Sequence, residues 1–210
     1  MTLTEVALDS TGDVWVADCA WMGPGPRGQG ARWFNGDTWS GQNSPVVASG
    51  CIRDIEVDDA GRIWVGVDGD LWRYTLGEGW THFPHPELDP NLGYRWGWIE
   101  DIELEGEETA WVSMSPCGGA SCDSGVFILF QVRDGVWTQI SDKGPGDLAF
   151  GGNDEGWLCI EDGLFHIVGE TVELIFELES LNCSMAADPT GQVWLTLAGN
   201  STLWLYDGSR

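Results

Sequence analysis

The sequence predicts an all-β fold, a β-propeller of about five four-stranded blades with the last blade incomplete. Three observations lead there. First, one phrase returns five times, an acidic turn with a Gly followed by a hydrophobic strand centred on Trp. The copies read Asp9-Ser-Thr-Gly-Asp-Val-Trp15-Val, Asp58-Asp-Ala-Gly-Arg-Ile-Trp64-Val, Glu105-Gly-Glu-Glu-Thr-Ala-Trp111-Val, Asn153-Asp-Glu-Gly-Trp-Leu-Cys159-Ile and Asp188-Pro-Thr-Gly-Gln-Val-Trp194-Leu. A fixed period of this size marks repeat units, none of which buries its apolar face alone. Second, short apolar runs separated by tight acidic or Gly turns follow each Trp strand, as antiparallel meanders require. Third, no window keeps apolar residues at helical spacing without a Gly or Pro interrupting it.

The elements follow in order along one domain, residues 1–210, with blades near 1–45, 46–86, 95–142, 143–180 and 181–210. Residues 4–9 open the first blade. In the second, 52–58 is strand a, 62–67 strand b, 70–74 strand c and 79–83 strand d. The third strands elsewhere are 32–34, 126–132, 164–168 and 203–206, and fourth strands start at Trp39, Trp137 and Thr171. Residues 171–181 come nearest to a helix, but their β-branched start suits strand d followed by a loop. The fifth repeat stops where its strand d should begin. Two outcomes follow: a five-bladed ring whose last blade has three strands, or an open arc of a larger ring, with the chain a piece of something longer.

The pattern acidic-x-x-Gly-x-Ile/Val-Trp-Val-Gly, then Gly-x-Leu-Trp-Arg-Tyr, then Gly-Trp-Thr is fullest between Asp58 and Thr81. It resembles the two-component regulator propeller repeat. That resemblance covers essentially the whole chain; it is specific in repeats one, two and five, and weaker in three, which lacks the Gly before Trp111, and in four, which has Cys159 in place of Trp. It implies a sensor-type propeller outside the cytoplasm, with signalling domains adjacent in the full-length protein. A fainter similarity, through Gly-x-Val-Trp, is to the virginiamycin B lyase type of propeller. No convergent His and Glu set supports that chemistry.

Composition narrows the partners. With 34 acidic against 9 basic residues, and Lys143 the only lysine, the formal charge of -25 repels phosphate backbones and anionic headgroups, so no nucleic acid is expected. The charge reads either as solubility in a salty medium or as attraction for a cationic ligand. No apolar stretch is long enough to span a membrane, and no signal peptide precedes the first strand.

In a propeller the a–b and c–d turns share one end, while the b–c and d–a connections share the other. The turns around Gly12, Gly61 and Gly191 and around Gly36, Gly77 and Gly135 are minimal. The long segments 20–31, 40–50, 84–98 and 116–125 all fall at the opposite end, and long connections on a rigid scaffold are where binding residues concentrate. Trp21, Arg27, Tyr94, Arg95, Trp96 and Trp98 lie in them. Flat indoles with a polar handle and the planar guanidinium fork suit a small molecule, a glycan or a protein ligand. Trp96 and Trp98 have another reading, as a channel plug or the start of strand a in repeat three.

No cofactor or metal is expected. His82 and His85, with Glu87 and Asp89, read as a solvated loop, and His166 as a satisfied strand side chain. No nucleophile elbow or phosphate loop is present. The six cysteines point to an oxidising, extracytoplasmic location, periplasmic or secreted. Cys19 and Cys51 stand at one height on neighbouring blades and are expected to bridge; Cys117 and Cys122 can close on themselves within one loop. Cys159 and Cys183 are either a bridge or two buried thiols. The reading is a non-catalytic, sensor-domain-like binding or interaction module. A secreted lectin-like glycan binder and a propeller lyase or hydrolase are the alternatives.

Overall fold

The strongest organising force in the chain is the alternation of its strands, which gives every blade two apolar faces to bury against two neighbours. The computed structural model describes residues 3–9, 11–18, 31–40, 52–67, 69–86, 96–117, 128–142, 147–151, 155–160, 163–169, 171–177, 183–188, 190–197 and 202–206. Blade 1 is β1 (Leu3–Leu8), β2 (Val14–Asp18), β3 (Arg32–Phe34) and β4 (Trp39–Ser40), paired in that order. Blade 2 is β5 (Ile52–Val57), β6 (Ile63–Val67), β7 (Asp70–Thr75) and β8 (Gly79–Phe83). Blade 3 is β9 (Trp96–Glu105), β10 (Thr109–Cys117), β11 (Ile128–Arg133) and β12 (Val136–Ser141). Blade 4 is β13 (Asp147–Phe150), β14 (Glu155–Ile160), β15 (Gly163–Val168) and β16 (Thr171–Phe176). Blade 5 has three strands, β17 (Cys183–Ala187), β18 (Val193–Leu197) and β19 (Leu203–Tyr206). All pairings are antiparallel, and the first strands of successive blades touch one another around the axis. The all-β five-bladed propeller expected from the repeats is therefore the observed fold, and residues 171–176 are a strand.

Four apolar clusters join the blades, and each follows one rule. Trp15 of β2 packs with Ile55, Ile63 and Val65 of blade 2. Trp64 packs with Ile102, Ala110 and Val112 of blade 3, and Trp111 with Leu148, Leu158 and Ile160 of blade 4. Trp157 packs with Val193 and Leu195 of blade 5. Each indole thus enters the face made by the residues that flank the next blade's Trp, an arrangement that buries the largest side chain against β-branched shapes.

This geometry corrects the reading of the fourth repeat. Trp157 faces Ala149 just as Trp64 faces Glu56 and Trp194 faces Ala186, so Trp157, not Cys159, is the fourth blade's Trp. The sequence misled because the acidic residue of the turn is missing there. Asp9, Asp58 and Glu105 each accept a hydrogen bond from the indole Nε1 six residues on, in Trp15, Trp64 and Trp111. Gly151 occupies the corresponding turn position, its N–H bonding to Glu155 O as Asp58 N bonds to Arg62 O. With no carboxylate at Gly151, the Trp157 Nε1 is buried without a partner.

The fifth indole behaves differently. Trp194 is 40% exposed, whereas Trp15, Trp64, Trp111 and Trp157 are exposed by 5%, 1%, 1% and 3%. On the first blade, Val6 and Leu8 are 46% and 66% exposed. The flanks of blades 5 and 1 do not bury one another as the four inner junctions do.

Candidate functional site

Because the first strand of each blade lines the axis, residues two apart on it form tiers. Asp101 faces Ser113, Asp147 faces Cys159, Glu5 faces Ala17 and Ser184 faces Thr196, all at one level, and Asp54 lies in the bulge of β5 at the same height. One step nearer the tight turns, Glu56 faces Trp64 and Glu103 faces Trp111, with Ala7, Ala149 and Ala186 at that level in the other blades. Two tiers of carboxyl groups therefore surround the axis.

The upper aspartates also staple blades together. Asp54 accepts hydrogen bonds from Ile55 N at 2.9 Å and from Ile102 N of blade 3 at 2.5 Å. Asp101 accepts from Leu148 N of blade 4, and Asp147 from Met185 N of blade 5. An innermost strand has one unpaired edge, and these carboxylates satisfy its N–H groups where water is scarce.

Burial, reinforced by mutual repulsion, pushes the group upward in pKa. Asp54 rises to about 6 and Glu56 to about 7, each chiefly through desolvation. Glu103 rises to about 9 through desolvation and the neighbouring charges of Asp101 and Glu56, and Asp101 stands well above its ordinary value. Asp147 is raised by burial as well. Asp101 is only partly buried as a residue, yet its Oδ2 is enclosed and without a hydrogen-bond partner. Among the described residues no group of three His, Cys, Asp or Glu is disposed to hold a metal ion. The arrangement can hold protons and attract positive charge along the axis.

The residues expected to bind ligand are only partly in view. Trp21, Arg27, Tyr94 and Arg95 lie outside the described residues, as do Cys19, Cys51, Cys122, Glu87 and Asp89. Trp96 and Trp98 do not belong to a loop: β9 begins at Trp96, opposite Cys117, and Trp98 lies opposite Ser115. Likewise Pro116 and Cys117 continue β10 and are not loop residues. Trp98 is half-buried, with the Arg53 guanidinium 5.3 Å from its ring centroid and Arg53 paired with Glu100. Hydrogen bonding along β9 and β10 extends both strands into what composition alone suggests is loop.

His82 and His85 are not simply solvated. Asp70 takes His82 Nε2 at 2.8 Å on one oxygen and His85 Nδ1 at 2.7 Å on the other, and His85 N bonds it at 3.0 Å. Burial alone would raise Asp70, but the His85 and His82 hydrogen bonds outweigh it and hold Asp70 down at about 2. The bond to Asp70 in turn raises His85. One carboxylate gripping two imidazoles is an ion-paired clasp that ties the segment after β8 back to β7. His166 stacks on Trp157 at 4.3 Å, and its Nε2, 3.3 Å from Glu155, lacks hydrogen-bond geometry.

Cys159 and Cys183 form a disulfide from β14 to β17, and Cys117 is also disulfide-bonded, to a partner outside the described residues. The axial carboxyls are what sequence reasoning missed. The signal was available in Ile52-Arg-Asp-Ile-Glu-Val57 and Ile99-Glu-Asp-Ile-Glu-Leu104, where acids two apart inside an apolar strand must share one face.

No family model and no curated protein matches the chain. Solved structures do. The extracellular domain of BT4673, described as a hybrid two-component system from B. thetaiotaomicron, aligns at 16% identity and TM-score 0.69 over 100% of this chain and 28% of that one. Regucalcin, described as a calcium-binding protein, from Agrobacterium tumefaciens aligns at 14% identity and TM-score 0.62, over 98% and 70% of the two chains. A gluconolactonase from Xanthomonas campestris aligns at 14% and TM-score 0.54, over 96% and 78%. These likenesses establish a β-propeller of the kind found in extracellular sensor domains and in enzymes. The chain spans less than a third of the BT4673 domain.

Proposed function

We propose that this chain is a non-catalytic, extracytoplasmic binding propeller, sensor-domain-like, whose ligand carries positive charge and enters at the end that bears the long connections. The observation that carries this reading is the double tier of carboxyls on the inner strands, Asp54, Asp101 and Asp147 above Glu56 and Glu103. A cation near the axis would replace protons that burial now forces onto them, which offsets the cost of enclosing like charges. The likeness to extracellular sensor domains and the Cys159–Cys183 bridge support a location outside the cytoplasm. Trp21, Arg27, Tyr94, Arg95, Trp96 and Trp98 are the proposed contacts at the mouth, with Cys19–Cys51 and Cys117–Cys122 as its bridges.

Thermal unfolding at pH 7.5 in the presence of calcium, spermidine, choline or neutral oligosaccharides tests the sign of the ligand. At least one cation should raise the melting temperature, and Asp54→Asn with Asp101→Asn should abolish the rise. Stabilisation by neutral sugars alone would select the lectin-like reading. A second reading, hydrolysis, is favoured by one observation. Asp101 and Glu103, raised far enough to keep protons, stand beside the less strongly raised Asp54, and such a spread supplies an acid and a base. Turnover of sugar lactones, lost in Glu103→Gln, would establish it.

A further inference from the structure

Every four-stranded blade has an outer strand covering its third, and blade 5, among the described residues, does not. The uncovered strand β19 reads Leu203-Trp204-Leu205-Tyr206, and β7 of blade 2 reads Leu71-Trp72-Arg73-Tyr74. They occupy the same register, since Val193 faces Tyr206 as Ile63 faces Tyr74. On β7 the outer strand β8 does the covering. Trp80 lies opposite Tyr74 with ring centroids 5.2 Å apart, and His82 opposite Trp72 with the rings stacked at 4.0 Å. Leu71 is then 0% exposed, whereas on β19 Leu203, Trp204 and Leu205 are exposed by 57%, 53% and 48%.

The covering chemistry recurs. Trp39 faces Phe34 and Trp137 faces Val132 at the position where Trp80 faces Tyr74; in blade 4 Val172 faces Ile167 there. The surface of β19 therefore specifies its missing neighbour residue by residue: a large aromatic over Tyr206, a spacer beside Leu205 and a second ring over Trp204. An edge strand with apolar side chains is a template for strand addition. The net charge of -25 favours a neighbour with basic flanks.

We propose that the open edge of β19 binds, in trans, an extended partner segment of the form Trp-x-aromatic flanked by Lys or Arg, which pairs antiparallel as the fourth strand of blade 5. This site lies at the outer rim and does not depend on the cationic ligand proposed at the axis.

The test uses the intact chain and a fluorescein-labelled peptide Lys-Lys-Gly-Trp-Thr-His-Phe-Lys-Lys, which carries the β8 sequence between basic flanks. Fluorescence anisotropy should report saturable binding, and hydrogen exchange at residues 203–206 should slow on addition of peptide. Replacing the peptide's Trp by Ala, or its Thr by Pro, should weaken binding by at least about ten-fold, because the first removes the ring over Tyr206 and the second a ladder bond. In the protein, Trp204→Ala alters an exposed side chain, so its fold can be verified by circular dichroism, and it should weaken binding similarly. Equal affinity for the Ala and Pro peptides, or protection appearing elsewhere, would overturn the proposal. So would β19 amides already protected without peptide, which would mean that the chain itself or a second copy fills the edge.

Discussion

Asp58 illustrates how much one turn residue carries. Its Oδ1 accepts from Ala60 N and Arg62 N, and its Oδ2 from Arg62 Nε and Trp64 Nε1, all while the residue is buried. Asp58→Ala strands the buried indole and the guanidinium together, so the expected loss of stability is about 3 kcal/mol. Asp9 makes the equivalent bonds to Thr11, Asp13 and Trp15 at a wetter site, and Asp9→Ala should cost about 1 kcal/mol. Urea unfolding of the two variants checks the ranking, and equal losses would contradict the role given to burial. The acidic turn was plain in the sequence as a Gly-containing cap. Its bond to the indole was not, because six residues of separation bring the two groups together only across a hairpin.

The three-stranded blade 5 depends on its neighbour more than the others do. It is held by Trp157 packing on Val193 and Leu195, by the Asp147 bond to Met185 N, and by the Cys159–Cys183 bridge, whose ends are 24 residues apart. Chain entropy assigns such a cross-link about 3 to 4 kcal/mol. Reduction should therefore release β17–β19 before the rest, seen as faster hydrogen exchange there with β5–β11 unchanged. Uniform acceleration across all blades would show that the bridge serves the whole ring. Strand positions were readable from the motif because turn chemistry and alternation are local. The alignment of blade 4 was not, since Gly151 erased the acidic marker and only the pairing of Ala149 with Trp157 restores it.

The enclosed acids set the pH response of the molecule. Groups raised in the folded state bind protons more tightly there than in the unfolded chain, so their contribution to stability falls as pH rises from their unfolded to their folded values. With Asp54 near 6, Glu56 near 7 and Glu103 near 9, that decline runs from about pH 4 to about pH 9. Asp70, held at about 2, acts oppositely, and its contribution disappears as pH falls from about 4 toward 2. The melting temperature should therefore peak near pH 4 to 5 and decline toward alkaline pH. Glu103→Gln should flatten the decline and stabilise the protein at pH 9 by at least about 1 kcal/mol; parallel profiles for variant and wild type would refute this. The blade plan, the minimal turns and the sign of the net charge follow from the chain alone, because they rest on period, turn residues and composition, which act between near neighbours. The facing of five acids on one axis, the orphaned Trp157 indole and the uncovered β19 were decided only in three dimensions. Each depends on which strands of different blades meet, and that is fixed by packing between segments far apart in sequence.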